Sequence, residues 1–400
     1  MGASGLRRPL RALVAGAGIG GLSAALALAR SGCEAAIFER QPALAEFGAG
    51  LQLTPNATRI LERLGALENV RARSLTPRAI RIQRGRDDAL LARLGLEDAQ
   101  ERWGAPYLLL HRADLQRALF EALQETPGVT FAYGVEAAGV ASDGETVALG
   151  LKRGLLSLRE TGDLLIAADG LWSRLRERLG LGGAAEARAT GLTAFRATLP
   201  FGRAQPDWLA SAVTLRLGAR AHLVSYPLPF RQVVNVVAVI ETSGDARRGE
   251  GFDGEADRGV LARAFAHWSA EARALIERCE SWRAWPLFDR APIAAFSVGR
   301  VALLGDAAHP MAPFLAQGAA QAIEDSGALL TALSESDDVA QALAAYSQAR
   351  VARAARVQRE ARAQARLYHY AGPMAFARDF AMRALGPKRL LSRYDWLYAA

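Results

Sequence analysis

Leu13-Val14-Ala15-Gly16-Ala17-Gly18-Ile19-Gly20-Gly21 is the stretch that decides the fold. A short apolar strand, Arg11 to Ala15, runs into a glycine-rich turn and then into a helix. Gly16 permits the tight turn, Gly18 lets the backbone approach a pyrophosphate, and Gly21 allows the helix to pack closely on the sheet. Gly20 completes the small-residue run. The turn presents backbone N–H groups at a helix N-terminus, which is a ready anion site. The helix is expected over Leu22 to Arg30, with Ser31-Gly32 as its stop. A second strand, Glu34 to Phe38, ends in Glu39, and an acidic residue about 20 positions past the glycines is where a ribose hydroxyl is held. The plain alternative is a secretory or twin-arginine leader, because Arg7, Arg8 and Arg11 precede the uncharged stretch Ala12 to Ala29. Glycines at fingerprint spacing and the strand ending in Glu39 favour the nucleotide reading.

A second segment lies far along the chain. Arg300-Val301-Ala302-Leu303-Leu304-Gly305-Asp306-Ala307-Ala308-His309-Pro310 is followed by Gln317-Gly318-Ala319-Ala320-Gln321-Ala322-Ile323-Glu324-Asp325. It reads as a buried strand, a turn carrying Asp306, and a helix. Between the two segments, Phe47 to Asn56 reads as a glycine-rich loop before a helix over Ala57 to Leu64. Arg112 opens another helix after the strand end Leu108 to His111, and Val129 to Val140 reads as strand pairs. Asp163 to Gly170 is a buried strand ending in a turn. Residues 190 to 241 change character and alternate, which predicts antiparallel strands joined through Pro227-Leu228-Pro229-Phe230. Residues 255 to 278 read as helical, and after residue 317 the chain is mostly helix.

The fold class is therefore α/β: a Rossmann-like dinucleotide-binding domain, an inserted antiparallel-sheet domain and a helical C-terminus. The expected pieces are 1–75, 105–180 and 286–345 for the first, 76–104 and 181–285 for the second, and 346–400 for the third. The cleft between sheet and insert is the natural ligand site.

Composition sets limits. The 400 residues suffice for two domains with real cores, and 51% hydrophobic with 22% charged residues is ordinary for a globular enzyme. Cys33 and Cys279 are the only cysteines and the five histidines (111, 222, 267, 309 and 369) lack zincin spacing, so no disulfide framework or metal site is expected. The net charge is +8, nearly all of it Arg, since Lys152 and Lys388 are the only lysines. The arginines are interleaved with acids and no nucleic-acid module is visible, so a nucleic-acid partner is not expected. No other apolar run nears membrane-spanning length, so a membrane partner is not expected either.

With these motifs in order, the chain resembles the class A aromatic hydroxylases, the para-hydroxybenzoate hydroxylase-like flavoprotein monooxygenases. Within them it is most similar to the salicylate, 3-hydroxybenzoate 6-hydroxylase and 6-hydroxynicotinate monooxygenase branch. The likeness runs from Gly16–Gly21 and Glu39 through Gly48-Ala49-Gly50-Leu51-Gln52, Arg112-Ala113-Asp114-Leu115, Asp169-Gly170, Gly305 to Pro310 and Gln317 to Ala320. It ends at Tyr394-Asp395-Trp396-Leu397-Tyr398. The resemblance implies non-covalent FAD, NAD(P)H as co-substrate, O2, and hydroxylation of a small aromatic or heteroaromatic substrate through a flavin C4a-hydroperoxide. It implies that Glu39 holds the adenosine ribose, that Arg112 approaches the pyrophosphate and that Asp306 meets the ribityl chain. Gln52 and Val135 would make backbone contacts, and Asp169 would support FAD and the reduced pyridine nucleotide. The helix starting near Leu315 to Gly318 would turn its positive end to the flavin pyrimidine edge, with Gly318 and Ala319 among the cofactor contacts. A cytoplasmic location is implied, and a homodimer is left open.

His222 and Tyr226 are the candidate catalytic pair. Four residues apart on a strand, they project from one face. His exchanges protons near neutral pH and Tyr can orient a hydroxyl. Two ordinary sheet residues are the plain alternative. The resemblance supports the pair, because that branch uses a His and a Tyr at this spacing. It also shows departures: the 6-hydroxynicotinate enzymes carry His where this chain has Gln52 and Phe314, and the 3-hydroxybenzoate 6-hydroxylases carry Gln at the Phe314 position. A more apolar pocket wall at Pro313 and Phe314 is implied, and neither named substrate follows. Arg196, Arg216 and Arg220 are candidates for pairing with a substrate carboxylate. Arg350, Arg353, Arg356 and Arg359 follow a helical spacing expected of a solvated face or subunit contact.

Competing readings are weaker. A flavin halogenase would need a Trp-x-Trp-x-Ile-Pro motif and a catalytic Lys, and Trp282-Arg283-Ala284-Trp285-Pro286 has the wrong spacing. A membrane-associated oxygenase would need an apolar C-terminal anchor. A flavoprotein oxidoreductase on a non-aromatic substrate and a non-enzymatic flavin sensor remain, and substrate-stimulated NAD(P)H oxidation separates the sensor from an enzyme.

Overall fold

The computed structural model describes residues 9–44, 49–182, 186–242 and 254–399. Arg7, Arg8, Phe47 and Gly48 lie outside the described residues. The strands that matter are β1 (Arg11–Ala15), β2 (Glu34–Glu39), β3 (Val129–Tyr133), β4 (Leu164–Ala167), β5 (Arg188–Pro200), β6 (Ala212–Gly218), β7 (Ala221–Leu228), β8 (Val233–Glu241), β9 (Arg283–Asp289) and β10 (Val301–Leu303). The helices are α1 (Ile19–Arg30), α2 (Arg112–Gln124), α3 (Gly318–Glu335), α4 (Val339–Tyr368) and α5 (Gly372–Ser392).

One sheet runs in the order β10-β4-β1-β2-β3, all parallel, with Ser297–Val298 added antiparallel beyond β10. Its central strands, Arg11 apart, are apolar throughout because helices cover both faces: Ala12 to Ala15, Leu164 to Ala167 and Val301 to Leu303 are all buried. α1 starts three residues earlier than the apolar pattern suggested, at Ile19, and ends at Arg30, capped by Ser31 with Gly32 at φ +83°. It packs on α3, where the Ser23 and Ser326 hydroxyls are 2.8 Å apart.

The larger sheet has the order β9-β5-β8-β7-β6, continued at one edge by Ala79–Arg84 and Leu90–Gly95 and at the other by Gly254–Glu255. Its pairings are antiparallel except one: β6 pairs Ala79–Arg84 in parallel, because that strand arrives from an earlier part of the chain and not through a hairpin. Alternation splits the sheet into two faces. Leu223, Val234, Val236 and Ala238 pack with Phe265 and Trp282 under the helices Arg258–Ala264 and Ala270–Arg278. His222, Val224, Tyr226, Val237 and Val239 point the other way, into a cavity.

Three expectations of detail are corrected. Residues 255 to 278 are two helices, broken because Ser269 caps the second through its hydroxyl. β7 continues through Pro227 and Leu228, and the turn is Pro229 to Gln232, where Gln232 takes φ +55°. Arg283–Asp289 is a strand that the sequence reading had missed, held by β5 despite Pro286.

Candidate active site

A cavity of about 380 Å³ lies between the two sheets. Gly18, Gly20, Arg112, Asp306, Gly318 and Ala319 line one end, and Gln52, Arg196, Pro313, His222 and Tyr226 line the other.

The first end fits a dinucleotide. A methyl group on Gly16, which sits at φ +103°, would lie 2.5 Å from the Ala168 carbonyl oxygen, and one on Gly21 would lie 1.8 Å from the Gly16 carbonyl oxygen. Both positions therefore exclude any side chain. At Gly18 and Gly318 a methyl group would meet no protein atom within 4 Å, which is the open space a ligand needs. Gly18 precedes α1 and Gln317 precedes α3 with no side-chain cap, and neither helix has an acidic residue in its first turn. Their first-turn amides and positive dipole ends are free to meet negative charge. Glu39 accepts from Ala17 N–H at 2.8 Å and thereby holds the turn, while its carbonyl takes the Val135 N–H at 2.8 Å. Glu39, Val135 and Asp169 sit beside the cavity lining, not in it. Asp169 Oδ2 accepts from Leu175 N–H at 3.3 Å and its Oδ1 is buried without a hydrogen-bond partner. Burial pushes its carboxyl up, against the bonds from Ser173 and Leu175, so a donor from a ligand would satisfy it.

Asp306 stands in a single turn between β10 and α3. That turn is fixed from behind by Asp325, whose carboxylate accepts from Gly305 N–H at 2.9 Å, bonds His309 Nε2 at 2.6 Å and accepts from Arg350 Nε at 2.7 Å. Arg350 also reaches Glu324 at 2.7 Å, and Arg353 pairs with the same Glu324. Asn56 donates to both Glu324 and Gln317, and Gln317 donates to Thr54 at 2.8 Å. Burial alone would raise the Asp325 carboxyl, but His309 and Arg350 outweigh it and hold it below its ordinary range. Arg350 and Arg353 are therefore not a solvated face: Arg350 is buried, and both answer acids on α3. Arg356 lies over the Trp396 ring at 3.7 Å.

At the other end, the sheet register sets the chemistry. One row across the strands is His222, Val239, Ala194 and Trp285; the next is Val224, Val237 and Arg196. All of them line the cavity. The Arg196 guanidinium lies 5.0 Å from the Trp285 ring centroid. Arg216 is buried and paired with Asp88 and Glu271, and Arg220 is exposed beside Glu241, so Arg196 is the one of the three that faces the cavity. Burial raises the Tyr226 phenol above its ordinary value, with Arg196 opposing, and keeps it protonated. Gln52 accepts from Tyr107 Oη at 2.6 Å. Phe314 departs from expectation. Its ring does not line the cavity but is buried 5.4 Å from the His222 ring, against Tyr368 and His369. It backs the histidine and does not wall the pocket.

Comparison with known proteins decides the family. A family model described as an FAD binding domain matches residues 10–361. The chain belongs to the FAD-dependent aromatic hydroxylases. The 3-hydroxybenzoate 6-hydroxylase of Polaromonas naphthalenivorans (strain CJ2) is 35% identical over 391 residues, spanning 97% of this chain and 96% of that protein. The 3-amino-4-hydroxybenzoate 2-monooxygenase PtmB3 of Streptomyces platensis is 37% identical over 97% of this chain and 95% of its own. Among solved structures, Klebsiella pneumoniae HpxO complexed with FAD and uric acid superposes with a TM-score of 0.85 at 26% identity, covering 96% of this chain and 95% of that one. The hydroxylase thus takes FAD as its cofactor and NAD(P)H as its reducing co-substrate. No described helix is long and apolar enough to cross a membrane.

The sequence reading of this hydroxylase missed the Asp325 network, Trp285 on β9, and Asn235, which holds the Gly50 amide at 2.7 Å. The adjacent Glu324-Asp325 in an otherwise apolar helix was the available signal, since buried acids demand buried cations. His369, whose Nε2 is 2.8 Å from His222 Nδ1, gave no signal: their proximity comes only from the fold.

Proposed function

We propose that this hydroxylase acts on a small phenolic aromatic acid. The observation that carries the reading is the placement of His222 and Tyr226 on one strand and Arg196 two strands away, all on the cavity face. Strands stand about 4.8 Å apart, so a single ring fits between the phenol-handling pair and the guanidinium. In this reading Arg196 takes the carboxylate, Tyr226 orients the hydroxyl and His222 accepts its proton. Bound FAD supplies the oxygen chemistry. The chain's residues activate the ring, by drawing the hydroxyl proton away, and shield it from water through Val224, Val237 and Leu287. Arg112, Asp306 and the α3 N-terminus hold the cofactor, Glu39 takes its adenosine ribose, Gln52 and Val135 give it backbone contacts, and Asp169 supports both it and the reduced pyridine nucleotide. The relatives' hydroxybenzoate names support the substrate class.

We also propose the division of the chain into the three units given above, supported by the pairing of Ala79–Arg84 with β6. A homodimer is proposed as well, supported by Phe376 and Phe380 standing exposed on α5, and light scattering tests it. A cytoplasmic location is supported by the need for a pyridine nucleotide. The experiment for the central reading is NADH and NADPH oxidation by the purified protein against a panel of phenolic and non-phenolic aromatic acids, with product analysis. Stimulation with a hydroxylated product by phenolic acids supports it; equal stimulation by rings without a hydroxyl overturns it.

A further inference from the structure

His222 is not alone in its pocket. Its Nδ1 is 2.8 Å from Nε2 of His369, the residue that closes α4. Both rings are buried. His369 Nδ1 in turn stands 3.8 Å from Glu241 Oε1, beyond a direct hydrogen bond and within the span of one bridging water. Glu241 ends β8 with 46% of its side chain exposed. Backbone bonds fix the meeting point: Arg220 N–H donates to the His369 carbonyl and Glu241 N–H to the Arg220 carbonyl, each at 3.1 Å. A continuous line of ionisable groups thus runs from the cavity wall to solvent. Among the described residues, Arg220 stands 3.7 Å from Glu241, and Arg378, itself paired with Asp379 at 2.8 Å, disfavours a proton on His369 by its charge.

We propose that His369 and Glu241 carry the substrate's hydroxyl proton from His222 out of the buried site. The inference rests on the reading that His222 faces that hydroxyl. The tautomers follow from the direction of transfer. With His222 Nε2 accepting from the substrate, its Nδ1–H donates to His369 Nε2, and His369 Nδ1–H points to Glu241. On ionisation, the substrate O–H bond breaks and the proton joins His222 Nε2. The Nδ1 proton of His222 passes to His369 Nε2, and the Nδ1 proton of His369 passes to Glu241 and water. Both histidines end neutral in the opposite tautomers. When the oxygenated ring rearomatises, the C–H bond at the oxygenated carbon breaks and its proton goes to water, while the ring oxygen regains a proton by the same path in reverse, which restores the tautomers. Burial, then the neighbouring charge in each case, holds both imidazoles below their ordinary range, His369 at about 4. Neither therefore traps the proton.

The test uses the FAD-loaded enzyme and a chromogenic phenol, 3-hydroxy-4-nitrobenzoate, without NAD(P)H. A stopped-flow jump from about pH 5.5 to about pH 8 spans the ordinary imidazole range and reads ionisation of the bound probe by its phenolate absorbance. His369→Gln and His369→Ala should bind the probe within about three-fold of wild type yet ionise it about ten-fold or more slowly, the low end of a lost proton-transfer group. Added imidazole should restore the rate in His369→Ala, and Glu241→Gln should slow it less. Unchanged rates at unchanged affinity in both His369 variants would overturn the relay alone. Wild-type enzyme that binds the probe without ionising it would overturn the relay together with the role given to His222.

Discussion

Replacing Asp325 by Asn tests whether the Asp306 turn is held by the buried network behind it. Asp325 is fully buried, and its two oxygens serve Gly305 N–H, His309 and Arg350. An Asn of the same shape keeps one acceptor and turns an NH2 toward groups that are themselves donors. Losing a hydrogen bond to a charged group costs about 1.5–3 kcal/mol, and leaving a buried cation without its partner costs about 3–5 kcal/mol. The two overlap, and Glu324 still answers Arg350, so the expected loss is about 3–5 kcal/mol in total. Urea unfolding of the FAD-loaded protein, with the slope checked for two-state behaviour, reads it as a lower midpoint. FAD release, followed by flavin fluorescence, should begin at lower urea than unfolding, because the first group to lose its anchor is the Gly305 amide. A variant within about 0.5 kcal/mol of wild type, the scale of an ordinary surface change, would refute this account of the network.

Three further outcomes follow from the geometry. Asp306→Ala should raise the Kd for FAD about 10- to 100-fold, the worth of one charged hydrogen bond, whereas Arg359→Ala, exposed on α4, should leave it unchanged in the same titration. Arg196→Met should raise KM for a phenolic acid by about ten-fold or more with a smaller change in kcat, measured by steady-state NAD(P)H oxidation, because the guanidinium binds ground state and transition state alike. His369 contributes a definite pH dependence: its folded value of about 4 lies below the ordinary 6.5, so the unfolded chain binds the proton more readily. Stability is then full above about pH 6.5 and falls by about 3 kcal/mol as pH drops to about 4; His369→Gln should flatten that part of the urea-midpoint profile.

The nucleotide half of the fold was legible because it is written in local residues. Gly21 is required by the Gly16 carbonyl within the same turn, and unbroken apolar runs such as Leu164 to Ala167 announce a sheet covered on both faces. His222 and Tyr226 were legible for a similar reason, since a period of two places them on one side of β7 whatever surrounds it. What the sequence hid is contact between distant elements. The spacing of Arg350 and Arg353 suggested a solvated face or a subunit contact, and the packing of α4 on α3 instead turns both to Glu324 and Asp325. Phe314 follows β10 closely in sequence, yet lands behind His222 because the turn before α3 folds it inward. Strand Arg283–Asp289 was obscured by Pro286, tolerated there because β5 supplies pairing on both sides of it.

The measurement that bears most directly on the central claim is product formed per NAD(P)H consumed in His222→Ala. The FAD end of the cavity is untouched by this change, so the variant should bind FAD and still consume NAD(P)H when a phenolic acid is present. Without the base, hydroxylation should fall about 10²- to 10⁴-fold, and most of the reducing equivalents should appear as hydrogen peroxide. Product yield equal to wild type would contradict the account and leave His222 an ordinary residue of the sheet.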